Sequence, residues 1–325
     1  MSRYRIREHR FLPVKTFSNK SFSGFTLIEL VVVLAVMAVM AHLAVIQVSH
    51  LRQSKLRKAA ERQFDELSRA VYSPGLAGEP ASGFLVDMGR LPRALPIDPD
   101  RSDSPLSLRE LWERPDDVAP YAVRRATREN LARGVDGALA DASVFVPCGW
   151  RGPYIHLPVH GTRLLDPWGN AFETPDDAHF SRLTDISTNS LSAGDAVELV
   201  RHFGSDGQPD GEADETVSEN SDGALCLIPS GGVASRLFVM TSFVRSDGVE
   251  SARDGTTVTV RWYAPCGGTI TGGIARATTP APGVVDSIPP GDRFIRVSTL
   301  TQTGMVKRVS LLPGDNLHFE KFPAR

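Results

Sequence analysis

Cysteine is scarce in this chain: there are three in 325 residues, Cys148, Cys226 and Cys266, and no two form a C-x-x-C pair. That removes the spacing of a zinc site or a thiol redox centre. One pair could still be a disulfide outside the cytoplasm, Cys226 with Cys266 being the most plausible, which leaves Cys148 as a small buried hydrophobe. Basic tracts are also missing once the first 24 residues are set aside. Those carry six Lys or Arg against one Glu, while the remaining 301 residues carry 30 basic and 37 acidic residues. A mildly acidic body argues against a nucleic-acid surface. No G-x-S-x-G, P-loop or dinucleotide glycine pattern occurs. His156 and His160 stand four apart, but Pro153 and Pro158 oppose a helix between them, and His179 and His202 join no organised set. No enzymatic role is expected.

What is present is one long apolar run. From Phe25 to Val48 the only strongly polar residues are Glu29, His42 and Gln47. A helix of this length spans a hydrocarbon core of ~30 Å at ~1.5 Å per residue. The run is too long for the core of an ordinary secretory signal peptide and has no small-residue cleavage site behind it. An ordinary signal anchor would hardly retain Glu29, because a carboxylate in hydrocarbon costs several kcal/mol unless paired. An acidic residue there points to function.

Beyond Val48 the pattern turns amphipathic. Leu56, Ala60, Phe64, Leu67 and Val71 recur at three- or four-residue spacing, with Arg57, Lys58, Glu61, Arg62, Asp65 and Glu66 on other faces. One helix is predicted over about 26–72, stopped by Ser73-Pro74-Gly75. Residues 73–110 are rich in Gly, Pro and Asp and read as irregular chain. A short helix is predicted over 106–113, with Ser107 as cap and Glu110 closing a capping box.

The stretch Gly24-Phe25-Thr26-Leu27-Ile28-Glu29-Leu30 resembles the cleavage and methylation motif of type IV prepilins and of the pseudopilins of type II secretion systems. The resemblance implies that a prepilin peptidase cuts between Gly24 and Phe25 on the cytoplasmic side and methylates the new amine on Phe25. Residues 1–24 would then be a cleaved leader, 25–72 the long helix with 25–48 transmembrane, and the body periplasmic, anchored in the inner membrane by a single pass. Gly24 places no side chain at the scissile bond. Glu29 stands one turn from the new end, where its carboxylate could accept from the Phe25 amine, in its own chain or, as the resemblance implies, in a neighbouring subunit. Such a pair fixes register, since a subunit out of step leaves a charge unpaired in a low-dielectric bundle. The implied partners are prepilin peptidase, other pseudopilin subunits and the inner-membrane assembly platform of the secretion system.

The resemblance extends into the body. SGFLVDMGRLP resembles the pseudopilin segment that leaves the long helix. Cys148-Gly149-Trp150-Arg151-Gly152-Pro153-Tyr154-Ile155, followed by Leu165-Asp166-Pro167-Trp168-Gly169-Asn170-Ala171-Phe172, resembles the head of the major pseudopilin with its DPWGNPY-like turn, Ala171 standing where the family has Pro. Asp166-Pro167 begins a tight turn, Gly169-Asn170 tolerate positive φ, and Trp168 anchors the turn to the head. Residues 203–215 resemble the calcium loop of the same proteins. Five carboxylates fall within residues 206–215 and would repel one another unless a hard cation or water separated them. The resemblance implies a Ca²⁺ ion held by Asp206, Asp214 and Glu215, with the Phe203 carbonyl and the Ser205 hydroxyl. Glu215 departs from the family's usual Asp, and the spacing is not that of an EF-hand.

A typical major pseudopilin would end near that loop, whereas this chain continues for 110 residues. Segments 236–243, 256–264, 292–300, 305–312 and 316–322 have strand composition, with Asp-Gly, Gly-Gly and Pro-Gly steps between them. Ile288–Val297 resembles the turn and strand of carboxypeptidase regulatory-like or transthyretin-like domains, which bind or space. The expected fold is α+β. A long N-terminal membrane-spanning helix packs on a small antiparallel-sheet head over 73–220, and a small β-sandwich-like domain follows over 236–325. The expected function is a structural filament subunit. The alternatives are a minor or tip subunit whose C-terminal domain binds cargo or a surface, and a membrane-tethered extracellular binding protein outside any filament.

Overall fold

The computed structural model describes residues 26–75, 79–98, 100, 106–159, 161–170, 196–202, 223–229, 232–251 and 254–323. The chain falls into two compact units, Met1–Gln53 and Ser54–Arg325. Helix α1, Leu27–Val71, contributes its apolar half to the first and its amphipathic half to the second. Every residue from 26 to 52 is exposed, and none of the described residues covers this part of the helix. From Ala60 on the exposure becomes periodic, with Ala60, Leu67, Ala70 and Val71 buried and the charged residues of the same turns outside. The helix ends where expected. Beyond it, Ser73 and Ser82 exchange backbone hydrogen bonds of 2.8 and 2.9 Å.

A one-turn helix α2, Phe84–Met88, is buried throughout and closes on Gly89. Gly89 has φ +70°, and a Cβ there would lie 1.9 Å from the Pro265 carbonyl oxygen, so no other residue fits without moving backbone. The middle of the chain then forms three two-stranded antiparallel ladders. These are β1 (Leu95–Pro96) with β2 (Leu106–Ser107), β3 (Ala122–Ala126) with β4 (Asp141–Cys148), and β5 (Leu199–His202) with β6 (Gly223–Cys226). The helix predicted over 106–113 does not form. Ser107 sits in a strand and donates from Oγ to the Leu95 carbonyl, and only Arg109–Leu111 make a short 3-10 turn. Glu110 is drawn away from the capping role by two arginines.

The C-terminal part is a pair of packed sheets. Its strands are β7 (Ser235–Val244), β8 (Glu250–Ser251), β9 (Thr257–Cys266), β10 (Thr269–Thr278), β11 (Gly283–Ile288), β12 (Gly291–Thr299), β13 (Thr303–Leu311) and β14 (Gly314–Pro323). One sheet has the antiparallel order β10-β9-β12-β13. The other has the order β11-β7-β14 with β8 beside β7, and there β14 runs parallel to β7. Leu237, Val239, Phe243, Val285, Ile288 and Phe322 of the second sheet meet Val258, Val260, Ile295, Val297 and Leu311 of the first. Burying each such side chain contributes about 1.5–3 kcal/mol. All five predicted strands are present. Two long ones, β10 and β11, were not predicted. Strand β10 carries Gly272-Gly273, which reads as a break, yet the glycines are needed, because a Cβ on Gly273 would lie 2.6 Å from the Trp262 indole nitrogen.

The outer face of the first sheet is covered in turn by the middle of the chain. Ala126, Leu139, Val144, Val146 and Cys148 pack with Tyr263 and Ile270. The residues from Ser54 onward are therefore one compact unit with several connected layers. The three cysteines are free: Cys148 is buried, as expected, while Cys226 and Cys266 are exposed.

Candidate functional site: the start of the apolar helix

Gly24 and Phe25, the residues of the expected cut, lie outside the described residues. Thr26 and Glu29 are described, and they form a reciprocal pair. The Glu29 backbone N–H donates to Thr26 Oγ1 at 3.3 Å, while the Thr26 backbone N–H donates to Glu29 Oε2 at 3.1 Å. The Thr26 hydroxyl also donates to the same oxygen at 3.0 Å. This is a capping box, which satisfies donors that the helix start leaves without partners. The T-x-x-E spacing is legible in the sequence, and it gives the carboxylate a local partner besides the chain-end amine expected for it. The carboxylate does local work, and its Oε1 has no partner among the described residues.

Two further polar centres brace the body. Glu110 is fully buried and accepts from Arg90 Nη1 at 2.7 Å and Nη2 at 2.8 Å, from the Arg93 backbone N–H at 2.7 Å and from Arg93 Nε at 2.8 Å. Arg93 turns its remaining fork on Asp117, at 2.7 and 2.9 Å. Burial raises the Glu110 pKa, but the hydrogen bonds and charge of the two arginines outweigh it and hold the carboxyl below the usual range. The Glu110 carbonyl accepts from Trp150 Nε1 at 2.7 Å, and the Leu111 carbonyl accepts from the backbone N–H of Tyr154 at 2.7 Å. The 148–155 stretch is thereby fastened to the 3-10 turn.

Asp87 of α2 is buried and meets Arg151 Nε at 3.0 Å and the Tyr154 hydroxyl at 3.0 Å. Burial pushes its carboxyl above the usual range despite both partners. Next to this centre Arg293 is 1% exposed, and its guanidinium donates to the carbonyls of Pro289, Val86, Asp292 and Pro290. Burial lowers its pKa to about 9. These contacts tie the Ile288–Val297 stretch to α2. Nothing in the sequence announced Glu110 or Arg293 as a node, because each depends on backbone brought from a distant part of the chain.

A turn forms over residues 166–170, with positive φ at Gly169 and not at Asn170. Asp166 is buried; its Oδ1 accepts from the backbone N–H of Trp168 at 3.0 Å and of Asn170 at 2.7 Å, and Gly169 has φ +99°. Pro167 and Trp168 are half-buried. Phe203, Ser205, Asp206, Asp214 and Glu215 lie outside the described residues. The ladder that brackets them is described: His202 faces Gly223, so the acidic segment leaves and returns at one ladder end. Among the described residues no group of three or more His, Cys, Asp or Glu is placed to hold a metal ion.

Residues 19–45 match the family model described as the prokaryotic N-terminal methylation motif. Together with the apolar helix of membrane-crossing length that begins inside the match, this makes the chain a type IV prepilin-like protein. Comparison with curated proteins and with solved structures found no match for the chain.

Proposed function

We propose that the chain is a structural subunit of a type II secretion pseudopilus or a related type IV filament, inserted in the inner membrane and assembled after leader cleavage and N-methylation. The observation that carries this reading is Glu29, an acidic residue at the head of a membrane-length helix inside the methylation motif. The peptidase removes residues 1–24 on the cytoplasmic side, the helix stays in the membrane, and the body faces the periplasm. In a filament the helices of neighbouring subunits bundle, and Glu29 of one meets the methylated amine of Phe25 of the next. Mass spectrometry of the mature protein should find Phe25 as a methylated first residue. A chain that retains residue 1 would end this reading.

The body carries two more parts of the proposal. Asp206, Asp214 and Glu215, with the Phe203 carbonyl and the Ser205 hydroxyl, hold Ca²⁺, which screens the mutual repulsion of the five carboxylates between 206 and 215. An ion bound only by the folded state raises its stability. A chelator should therefore lower the melting temperature of the processed protein, and Asp206→Ala should abolish that sensitivity. An unchanged melting curve with chelator rejects the ion. The second reading, a minor or tip subunit that presents its C-terminal sheets to cargo or a surface, is favoured by the size of those sheets and by the apolar side chains they expose. Counting copies per filament separates it from the major-subunit reading.

A further inference from the structure

Strand β14 ends its sheet: the order is β11-β7-β14, and among the described residues no strand lies on its far side. It pairs with β7 over all ten residues without a bulge. The Gly314 N–H points toward β7 and donates to the Ala234 carbonyl, whereas the Pro323 carbonyl points the other way and accepts from Gln302 Nε2 at 2.9 Å. By alternation, the backbone N–H and C=O groups of Asp315, Leu317, Phe319 and Lys321 face the open edge. The same four side chains lie on the outer face of the sheet. Leu317 is 59% and Phe319 64% exposed. They continue an apolar stripe across β7, where Leu317 neighbours Phe238 and Phe319 neighbours Met240, and on to Val284 of β11. A ten-residue edge with no bulge, apolar at its middle and charged only towards its two ends, is a ready template for another strand.

The sequence of the edge indicates which strand. Asp315-Asn316-Leu317-His318-Phe319-Glu320-Lys321 is complementary to itself when reversed about His318. In that antiparallel register Asp315 faces Lys321 of the other strand, Leu317 faces Phe319, and Lys321 faces Asp315. Sliding the register by two residues in either direction sets a charge against Leu317 or Phe319 or off the end of the strand. Opposite charges and apolar pairs across a ladder each contribute, while like charges oppose it. Lys321 already pairs with Glu250 of its own chain, so a facing Asp315 would give it a second carboxylate.

We propose that β14 pairs antiparallel with β14 of a second copy of this chain, about a two-fold axis at His318, joining the two four-stranded sheets into one of eight. Such a contact uses the same surface on both copies and closes after two. It cannot propagate a filament, so it links subunits, or neighbouring filaments, in pairs. The proposal does not rest on the type of filament to which the chain belongs.

The test uses the full chain, purified in detergent, with Cys226 and Cys266 replaced by Ser. Leu317→Cys with Phe319→Cys places thiols at facing positions, where Cα atoms of a hydrogen-bonded antiparallel pair lie at about 5.5 Å, within disulfide reach. Mild oxidation should give a covalent species of twice the chain mass. Adding Asp315→Lys should abolish it, because Lys then faces Lys321, and adding Lys321→Asp to that variant should restore it. Both charge changes are at exposed positions, so loss followed by rescue cannot come from misfolding. No dimer, a dimer indifferent to the charge reversal, or an adduct with another protein would overturn the pairing.

Discussion

Glu29→Ala is expected to be cleaved, methylated and held in the membrane normally, and then to be left out of filaments. Loss of the cap to Thr26 costs about 1 kcal/mol, little for a helix of 45 residues. Removing a carboxylate from hydrocarbon favours residence in the membrane, by at most the about 2.5–3.5 kcal/mol of a charge at a helix centre, so the anchored state should not suffer. In the filament, by contrast, the methylated amine of a neighbour would be buried without its partner, at about 3–5 kcal/mol. That is more than about a hundredfold in the assembly equilibrium. Glu29→Gln separates the two jobs of the side chain, because Gln closes a capping box but carries no charge. Both variants should disappear from the sheared filament fraction while remaining in the membrane fraction on an immunoblot. A Gln variant that assembles at the normal level would show that the cap, not the charge, is what the filament needs.

The second large effect is expected inside the body. Glu110→Ala leaves Arg90 and Arg93 facing a buried gap and removes an acceptor from the Arg93 backbone N–H. Breaking a buried pair from one side costs about 3–5 kcal/mol, and thermal denaturation of the processed protein should show a melting temperature lower by about 10 °C. The same centre sets a pH dependence. The carboxyls of Glu110 and Asp117 are both held below their unfolded values, so the folded state binds protons less readily than the unfolded chain. Their stabilisation is complete above the unfolded carboxylate pKa of about 4 and is lost as pH falls through the lower folded values. Asp87, raised by burial, works in the opposite sense. The diagnostic quantity is therefore the difference between the native protein and Glu110→Gln. It should shrink as pH falls below about 4 and stay constant above about 6. A difference that grows on acidification would contradict the assignment.

Those two residues also mark how far the sequence could be read. The helix bounds, the apolar and amphipathic halves and the Asp166 turn follow from local rules, in which periodicity, a Pro-Gly stop and an Asp side chain bonding its own backbone suffice. The strands after 235 were visible as alternating β-branched and aromatic residues. What escaped was whatever depends on a distant partner. Leu106–Glu113 has good helical signals, and a strand partner at Leu95–Pro96 overrides them. Gly272-Gly273 looks like a break until Trp262 is laid across it. Glu110 was read as a helix cap because its arginines lie 17 and 20 residues away. At the head of the apolar helix the cap to Thr26 is local and spelled out by T-x-x-E, on the same carboxylate for which a longer-range partner is expected.

The guanidinium of Arg293 has a consequence for whether the C-terminal strands could be removed. Its donors are consumed by carbonyls of its own turn and by that of Val86, some two hundred residues earlier. The C-terminal strands are thus not hung on the rest of the body like a flag on a pole. They share its mortar, and a chain cut before Ser235 would leave the wall around α2 open.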